Sequence, residues 1–479
     1  MRHSLIFRLL LLFLALAAMT MLIPLCLALA WGEGEMILPF LIPALGGMIP
    51  ALPVAIFTGK RPIRFSASDG FLLVFSAWVL ISLLGAFPYY LSGAIPRFSG
   101  AVFESVSGFS TTGATVIGDV EKLPRSLLFW RAMTHWLGGM GIVVLSVALL
   151  PLLGVGGFQL LKAETAPEKE KITPKITETA KILWLIYTAL TALETLLLML
   201  GGMDWFDALT HAFSTIASGG FSVRNNSIAA YHSPWIEGVC TVFMLLAAFN
   251  FTMIYRLIQG KYREVLTNSE TRAYGLVILV SVGISAFALL PTLPAGEALG
   301  KASFHVASIL STTGFSSADY SLWPAAAQAV IFFLLFTGGC SGSTAGGIKV
   351  IRHVILTKQA GNEMKRLLYP RGIFSVRLNN KVGSKNVVYG VAGFVFLYLA
   401  IVLVVTLIVS GSGMDLFSSL SLAALTLGNV GIGLGATGPG AVFRDLPAGI
   451  IWVLSFVMIA GRLELWTALV FFSRAYWRH

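Results

Sequence analysis

The stretch FESVSGFSTTGAT at residues 103–115 decides the fold, because three further stretches repeat its pattern. Aligned on one glycine, each has an apolar run of about a dozen residues, too short to span a bilayer as a helix. A turn rich in Gly, Thr, Ser or Asn follows each run. The other three stretches are THAFSTIASGGFS (210–222), FHVASILSTTGFS (304–316) and SLAALTLGNVGIG (421–433).

Residues outside the turns keep the same register. Glu104, His211 and His305 each lie nine residues before the aligned glycine of their stretch. The tripeptide GMD at 202–204 and at 413–415 places an aspartate sixteen residues before the glycine of the second and fourth stretches. This spacing indicates an internal fourfold repeat.

The composition is that of a polytopic membrane protein. Of the 479 residues, 56% are hydrophobic and 11% are charged, whereas soluble chains have about 25% charged residues. The first apolar window is predicted to be a retained membrane helix, because it is longer than the apolar core of a signal peptide. Three cysteines predict neither a disulfide framework nor a metal cage. The ten apolar windows of spanning length are 9–30, 36–57, 71–91, 127–150, 181–202, 235–258, 272–291, 325–356, 387–410 and 447–473.

Positive charge is distributed unevenly between the connections. With the N-terminus in the cytoplasm, inner segments hold 25 Lys and Arg, outer segments hold 7, and Arg462 falls within a span. This asymmetry predicts that both termini are cytoplasmic. It also explains the net charge of +11 without a nucleic-acid partner.

The repeating unit is a span, a re-entrant half-helix, an extended glycine turn and a second span. Non-helical backbone at membrane depth must be buried in protein or line a water-filled cavity, so four such turns predict a central pore. Glycine allows successive carbonyls to face one axis, and a ring of carbonyls replaces the water shell of a cation. We therefore predict an all-α polytopic membrane protein. Its parts are an N-terminal transmembrane hairpin (1–68) and pore repeats at 69–160, 161–265, 266–386 and 387–479.

The turns STTGAT, SGGFS, STTGFS and NVGIG, each after a short pore helix, resemble the four filters of the Trk/Ktr/HKT superfamily of potassium transporters. The resemblance covers nearly the whole chain, and the N-terminal hairpin, the GGCSGSTAGGIKV stretch and the basic segment 349–386 favour the Trk branch. It implies potassium uptake by a homodimer in the lipid of the bacterial inner membrane. It also implies a cytosolic nucleotide-binding regulatory subunit of TrkA type. No cofactor is expected in this chain, a nucleotide is expected on the partner, and potassium is expected at the filter.

By the same resemblance, three residues of each turn supply the filter carbonyls. The fourth turn lacks the hydroxyl groups of the first three. The filter residues are Thr111, Thr112, Gly113, Ser218, Gly219, Gly220, Thr312, Thr313, Gly314, Asn429, Val430 and Gly431.

Residues 338–347 (GGCSGSTAGG) interrupt the window 325–356 with five glycines. Each glycine costs about 1 kcal/mol relative to alanine inside a helix, so this span is predicted to break into two segments around a loop. In the superfamily, the matching loop obstructs the pore as a gate. The candidate gate residues are Gly338, Gly339, Gly342, Ser343, Thr344, Gly346, Gly347, Lys349 and Arg462.

Isolated polar residues within the apolar segments have predicted roles as well. Arg462 should face the aqueous cavity, where it either donates to carbonyls of the 338–347 loop or forms a positive barrier to cations. Glu104, His211 and His305 are predicted to brace the pore helices through hydrogen bonds.

Two other function classes compete with an ion pathway. A secondary transporter would couple sodium or protons to a substrate at broken helices, but such carriers usually have two inverted repeats, and the four units here share one orientation. An intramembrane enzyme would need a base and nucleophile pair or a metal-ligand set, and the seven histidines are scattered. The tract 162–181 is predicted to be a cytosolic connector, and both a docking surface and a plain linker fit it.

Overall fold

The structure is a computed structural model that describes residues 2–53, 67–148, 176–379, 381–383, 385–474 and 476. Most of the predicted connector at 162–181, the end of the predicted hairpin and the end of the first repeat lie outside these ranges. The described chain is predominantly helical, as predicted, with one two-stranded hairpin in which Arg377 pairs with Val382 and Leu378 with Lys381.

The four short helices that precede the glycine turns follow one another in chain order after the N-terminal helices. Each pore helix packs against both the helix that precedes it and the helix that follows it. The α-helices and strands are α1 (Arg2–Thr20), α2 (Leu22–Ala30), α3 (Ile37–Met48), α4 (Ala67–Leu91), α5 (Phe98–Phe109), α6 (Arg125–Ala148), α7 (Ile176–Leu200), α8 (Trp205–Ile216), α9 (Pro234–Ala247), α10 (Phe251–Ile258), α11 (Tyr262–Thr267), α12 (Ser269–Leu289), α13 (Ala295–Leu310), α14 (Ala325–Leu334), α15 (Val350–Leu368), β1 (Arg377–Leu378), β2 (Lys381–Val382), α16 (Lys385–Ser410), α17 (Leu416–Gly428), α18 (Ala448–Arg462) and α19 (Trp466–Leu469).

The short helices α5, α8, α13 and α17 are the predicted half-helices. Two of them begin at the aspartates of the repeated GMD tripeptide, because these side chains cap the helix N-terminus. Asp204 accepts a hydrogen bond from the Phe206 N–H (3.4 Å), and Asp415 accepts one from the Ser418 N–H (2.9 Å). The bonds from Ser418 lower the pKa of the Asp415 carboxyl below its ordinary value.

Six helices of the described ranges are long and apolar enough to cross a membrane, or seven if α9 and α10 form one span. The predicted break within window 325–356 is confirmed, because α14 ends at Leu334 and α15 begins at Val350.

For two windows, the prediction of a continuous spanning helix is wrong. In window 235–258, α9 and α10 meet at an angle of 104°. The side chain of Asn250 caps α10 by accepting from the Thr252 N–H (2.8 Å), which starts a new helix there. In window 447–473, α18 ends at Arg462 because Glu464 and Leu465 have left-handed backbone angles (φ 59° and 55°) that no α-helix accommodates.

Candidate ion pathway

The four glycine turns lie together and close a ring. In each turn, the glycine packs against the middle carbonyl of the next turn, leaving no room for a Cβ atom. An added Cβ atom would lie 2.0 Å from the oxygen for Gly113 with Gly219, 1.9 Å for Gly220 with Thr313, 2.0 Å for Gly314 with Val430 and 2.3 Å for Gly431 with Thr112.

The backbone follows the same path in all four turns. The first residue of each turn and the glycine two positions later both have positive φ angles, which L-residues other than glycine and asparagine rarely adopt. A β-branched threonine at such an angle is strained, and strain of this kind concentrates at functional sites. The angles are 55° and 84° for Thr111 and Gly113, 57° and 81° for Ser218 and Gly220, 59° and 78° for Thr312 and Gly314, and 55° and 83° for Asn429 and Gly431.

Each pore helix ends in the same hydrogen-bond pattern, the Schellman motif, which requires a left-handed residue directly after the helix. The middle residue of the turn donates its N–H to a carbonyl five residues earlier. Four helix C-termini, the negative ends of the helix dipoles, therefore meet at the ring. The bonds run from Thr112 to Ser107 (2.8 Å), Gly219 to Ser214 (2.8 Å), Thr313 to Ser308 (2.9 Å) and Val430 to Leu425 (2.9 Å).

In the first three repeats, the residue nine positions before the aligned glycine forms the predicted brace. Glu104 accepts from the Val116 N–H (3.0 Å), and the His211 Nε2 lies 2.9 Å from the Ser222 hydroxyl. The His305 Nε2 lies 3.2 Å from the carbonyl oxygen of Ala318. These contacts tie each pore helix to the segment that follows its turn.

The fourth repeat has leucine at the equivalent position, and a neighbouring serine replaces the brace. The Ser421 hydroxyl accepts a hydrogen bond from the Leu434 N–H at 2.8 Å. The repeat therefore preserves the contact with a different side chain.

Arg131 is a site residue that the sequence did not reveal. The seven outer charges include it, although it falls within the predicted window 127–150; it lies within α6 and is buried (4% exposed). Its Nε donates to Glu104 (2.7 Å), its Nη1 donates to the Ser222 carbonyl (3.0 Å), and its guanidinium lies over the Phe221 ring. Arg131 thus connects the first pore helix to the second turn. The one available signal was Glu104, since an acidic residue in an apolar helix needs a buried partner.

Asn429 also has a role that its spacing alone did not show. Its side-chain Nδ2 donates to the Thr112 hydroxyl (2.9 Å) and to the Met458 carbonyl (2.9 Å). The amide therefore joins the fourth turn to the first turn and to α18. At the position of Asn429, the other three turns have a residue with a hydroxyl group.

The loop between α14 and α15 folds back on itself beside the ring. The Gly338 N–H donates to the Ile348 carbonyl at 2.8 Å. A Cβ atom on Gly338 would lie 1.9 Å from the carbonyl oxygen of Gly346, so Gly338 has no room for a side chain, and a Cβ atom on Gly346 would lie 2.4 Å from the Gly428 carbonyl oxygen. Gly347 adjoins them with a positive φ of 67°.

Two residues of this loop contact the turns directly. The Thr344 hydroxyl lies 2.8 Å from the Ser218 hydroxyl, and the Gly346 N–H donates to the Thr312 hydroxyl at 2.7 Å. The loop therefore touches the first residue of both the second and the third turns.

Two cationic side chains hold the loop. Arg462 is buried (3% exposed), and its Nη1 donates to the Thr344 carbonyl at 2.6 Å, as the first of its two alternative predicted roles requires. The Lys349 ammonium donates to the Ala345 carbonyl. Glu464 pairs with Arg352 of α15 at 2.6 Å rather than with Arg462.

The remaining predicted gate residues lie away from the ring. Gly339 packs against the Ala248 carbonyl, where a Cβ atom would come within 2.5 Å of the oxygen. The Gly342 carbonyl accepts from the Phe251 N–H (3.3 Å), and the Ser343 hydroxyl donates within the loop to Cys340. These three residues shape the loop and seat it at the break between α9 and α10.

Comparison with known proteins gives a consistent result. Residues 48–478 match the family described as TrkH, cation transport protein. The chain is 39% identical to the Trk system potassium uptake protein TrkH of Halomonas elongata over all of both chains. It is also 39% identical to TrkH of Escherichia coli K12, over 88% of each chain. The crystal structure of the potassium transporter TrkH from Vibrio parahaemolyticus matches with a TM-score of 0.89 and 35% identity, covering 98% of this chain and 100% of that one.

These relatives confirm the all-α polytopic fold and the predicted superfamily. The family consists of transporters, so the competing enzyme interpretation is excluded. The chain belongs to the TrkH family of cation transport proteins.

Proposed function

We propose that this chain takes up potassium across the bacterial inner membrane, with the ring of four turns as its selectivity filter. The observation that carries the proposal is the closed ring itself, at which four helix C-termini meet and four glycines pack against backbone carbonyls. Backbone carbonyls at such a ring replace the hydration shell of potassium, and helix C-termini favour a cation. Relatives at 39% identity are named potassium uptake proteins.

The loop 338–347 is proposed to gate this pathway. Its contacts with the Ser218 and Thr312 hydroxyls place it against the ring, and the Arg462 guanidinium adds positive charge beside the path. A cation leaving the ring on this side would meet both a backbone obstruction and an unfavourable charge. Opening requires the loop to leave these contacts.

The surroundings of the pathway are part of the proposal. Both termini lie in the cytoplasm by the distribution of Lys and Arg. The protein works as a homodimer with one pathway in each subunit, and a cytosolic nucleotide-binding subunit of TrkA type controls the gate. The inner segment 349–386 carries nine Lys and Arg and includes α15 and the β1–β2 hairpin.

The test is rubidium-86 uptake into proteoliposomes that contain the purified chain, with excess external potassium or sodium as competitor. Potassium should abolish the uptake and sodium should leave most of it. A parallel sample with the 338–347 loop shortened provides the open control. If neither sample conducts rubidium, the filter assignment is wrong, and a carrier that binds a substrate at its broken helices becomes the better interpretation.

A further inference from the structure

A carboxyl group at the N-terminus of α12 contacts the 338–347 loop. Glu270, the second residue of α12, is buried (5% exposed), and its Oε1 accepts a hydrogen bond from the Ser341 N–H at 2.6 Å. Glu270 therefore holds the first half of the loop, whereas Arg462 holds Thr344 in the second half.

Two asparagines fix the position of Glu270. The Asn268 side chain caps α12 by accepting from the Glu270 N–H (2.9 Å). The Asn379 Oδ1 accepts from the Ser269 N–H (2.7 Å), and the Ser269 hydroxyl accepts from the Asn379 N–H (3.3 Å). Asn379 follows β1, so this reciprocal pair of bonds attaches the β1–β2 hairpin to α12 one residue before Glu270.

The same hairpin also packs on the helix that follows the loop. Val376 and Leu378 form a buried apolar cluster with Ile351 and Ile355 in the first two turns of α15. The hairpin thus contacts the start of both α12 and α15. Helix α12 binds the loop through Glu270, and α15 begins shortly after the loop ends. Arg377 on its other face is exposed to solvent.

We propose that Glu270 is a positioning residue for the 338–347 loop and that the β1–β2 hairpin controls it through Asn379. Displacement of the hairpin shifts the start of α12, withdraws the carboxylate from Ser341 and frees the first half of the loop. This inference rests on the proposed gating role of the loop.

Two pairs of variants of the full chain test it, each with a matched control. Glu270→Ala removes the acceptor, whereas Glu270→Gln keeps an oxygen at the same place. Asn379→Gly removes the Oδ1 that accepts from the Ser269 N–H but keeps the backbone N–H and the left-handed backbone angle (φ 48°), whereas Asn379→Asp keeps an accepting Oδ1. The readout is rubidium-86 uptake into proteoliposomes without any partner protein.

Glu270→Ala and Asn379→Gly should each raise basal uptake by about fivefold, the effect of losing one net hydrogen bond. Glu270→Gln and Asn379→Asp should stay within about twofold of the unmodified chain, because their acceptors remain. The double variant Glu270→Ala with Asn379→Gly should match Glu270→Ala alone, since the two residues act in series. Competition by potassium over sodium should be unchanged in all five, which a general disturbance of the pore would not allow.

Unchanged uptake in Glu270→Ala, together with raised uptake in Arg462→Ala, would overturn this inference but still support the proposed gating role of the loop. Unchanged uptake in Asn379→Gly alone would overturn the control by the hairpin. This variant lies at the exposed end of a two-residue strand, so it remains informative even if Glu270→Ala does not fold. If Arg462→Ala and the shortened loop also leave uptake unchanged, the gating proposal itself fails.

Discussion

The guanidinium of Arg462 donates a hydrogen bond to the carbonyl oxygen of Thr344 across 2.6 Å, and both residues are buried. A charged side chain within a membrane-spanning bundle costs about 2.5 to 3.5 kcal/mol on insertion scales. Its location at the C-terminal end of α18 offsets part of that cost, because the helix dipole favours a cation there. The geometry therefore assigns the residue to the loop rather than to the lipid interface.

Arg462→Ala is expected to raise basal rubidium uptake by at least about tenfold, because a hydrogen bond from a charged donor is worth about 1.5 to 3 kcal/mol. The measurement compares initial uptake rates in proteoliposomes without a partner protein. Arg444→Ala is the matched control, since Arg444 is largely exposed (68% of its side chain) and should leave uptake unchanged. Equal rates for the two variants would show that Arg462 does not hold the loop closed.

The glycines of the ring are needed for space as well as for their backbone angles, and one comparison separates these effects. Gly220 and Gly202 both have positive φ angles (81° and 95°), but a Cβ atom meets the Thr313 carbonyl only at Gly220. Both alanine variants incur the left-handed backbone penalty of about 1 to 2 kcal/mol. Only Gly220→Ala should reduce the discrimination of potassium from sodium in competition assays. A similar loss of discrimination in Gly202→Ala, or no loss in Gly220→Ala, would contradict the role of the ring in ion selectivity.

The Glu104–Arg131 pair should matter for stability. Removing one partner of a buried ion pair leaves an uncompensated charge and costs about 3 to 5 kcal/mol. Glu104→Ala should therefore lower the apparent melting temperature of the detergent-solubilised protein clearly. Lys122→Ala, at the exposed Lys122–Asp119 pair, should leave it unchanged. Comparable melting temperatures for the two variants would show that the buried pair contributes little.

Potassium itself should stabilise the protein, because a ligand that binds only the folded state shifts the unfolding equilibrium. The melting temperature in detergent should be higher in potassium chloride than in sodium or choline chloride at the same ionic strength. The difference should disappear in Gly220→Ala. Equal melting temperatures of the unmodified chain in all three salts would argue against a selective site.

Local sequence predicted the parts of the pathway that depend on local backbone requirements. The turns were recognisable because Gly113 and its three equivalents repeat one backbone path, and that path needs glycine at the same register. The break at 338–347 was equally visible, since five glycines disfavour a helix wherever they lie.

Features that depend on distant partners were not predictable. The break after α9 has no glycine or proline to announce it; instead, the Ala248 carbonyl accepts the Cys340 N–H from a loop about ninety residues away. The role of Arg131 is not visible from its own window 127–150, because its partner Glu104 lies in a different helix. In the sequence, Glu270 is simply an acidic residue in the first turn of a helix. Acidic residues are common there because they complement the helix dipole, so this location does not indicate a distant partner.

Anomalous X-ray diffraction from crystals grown in rubidium chloride would test the central claim most directly. The account predicts anomalous density on the axis of the ring, beside the carbonyls of Thr112, Gly219, Thr313 and Val430, and its loss when sodium replaces rubidium. Rubidium bound elsewhere in the bundle, with no density at the ring, would contradict the assignment of these four turns as the filter.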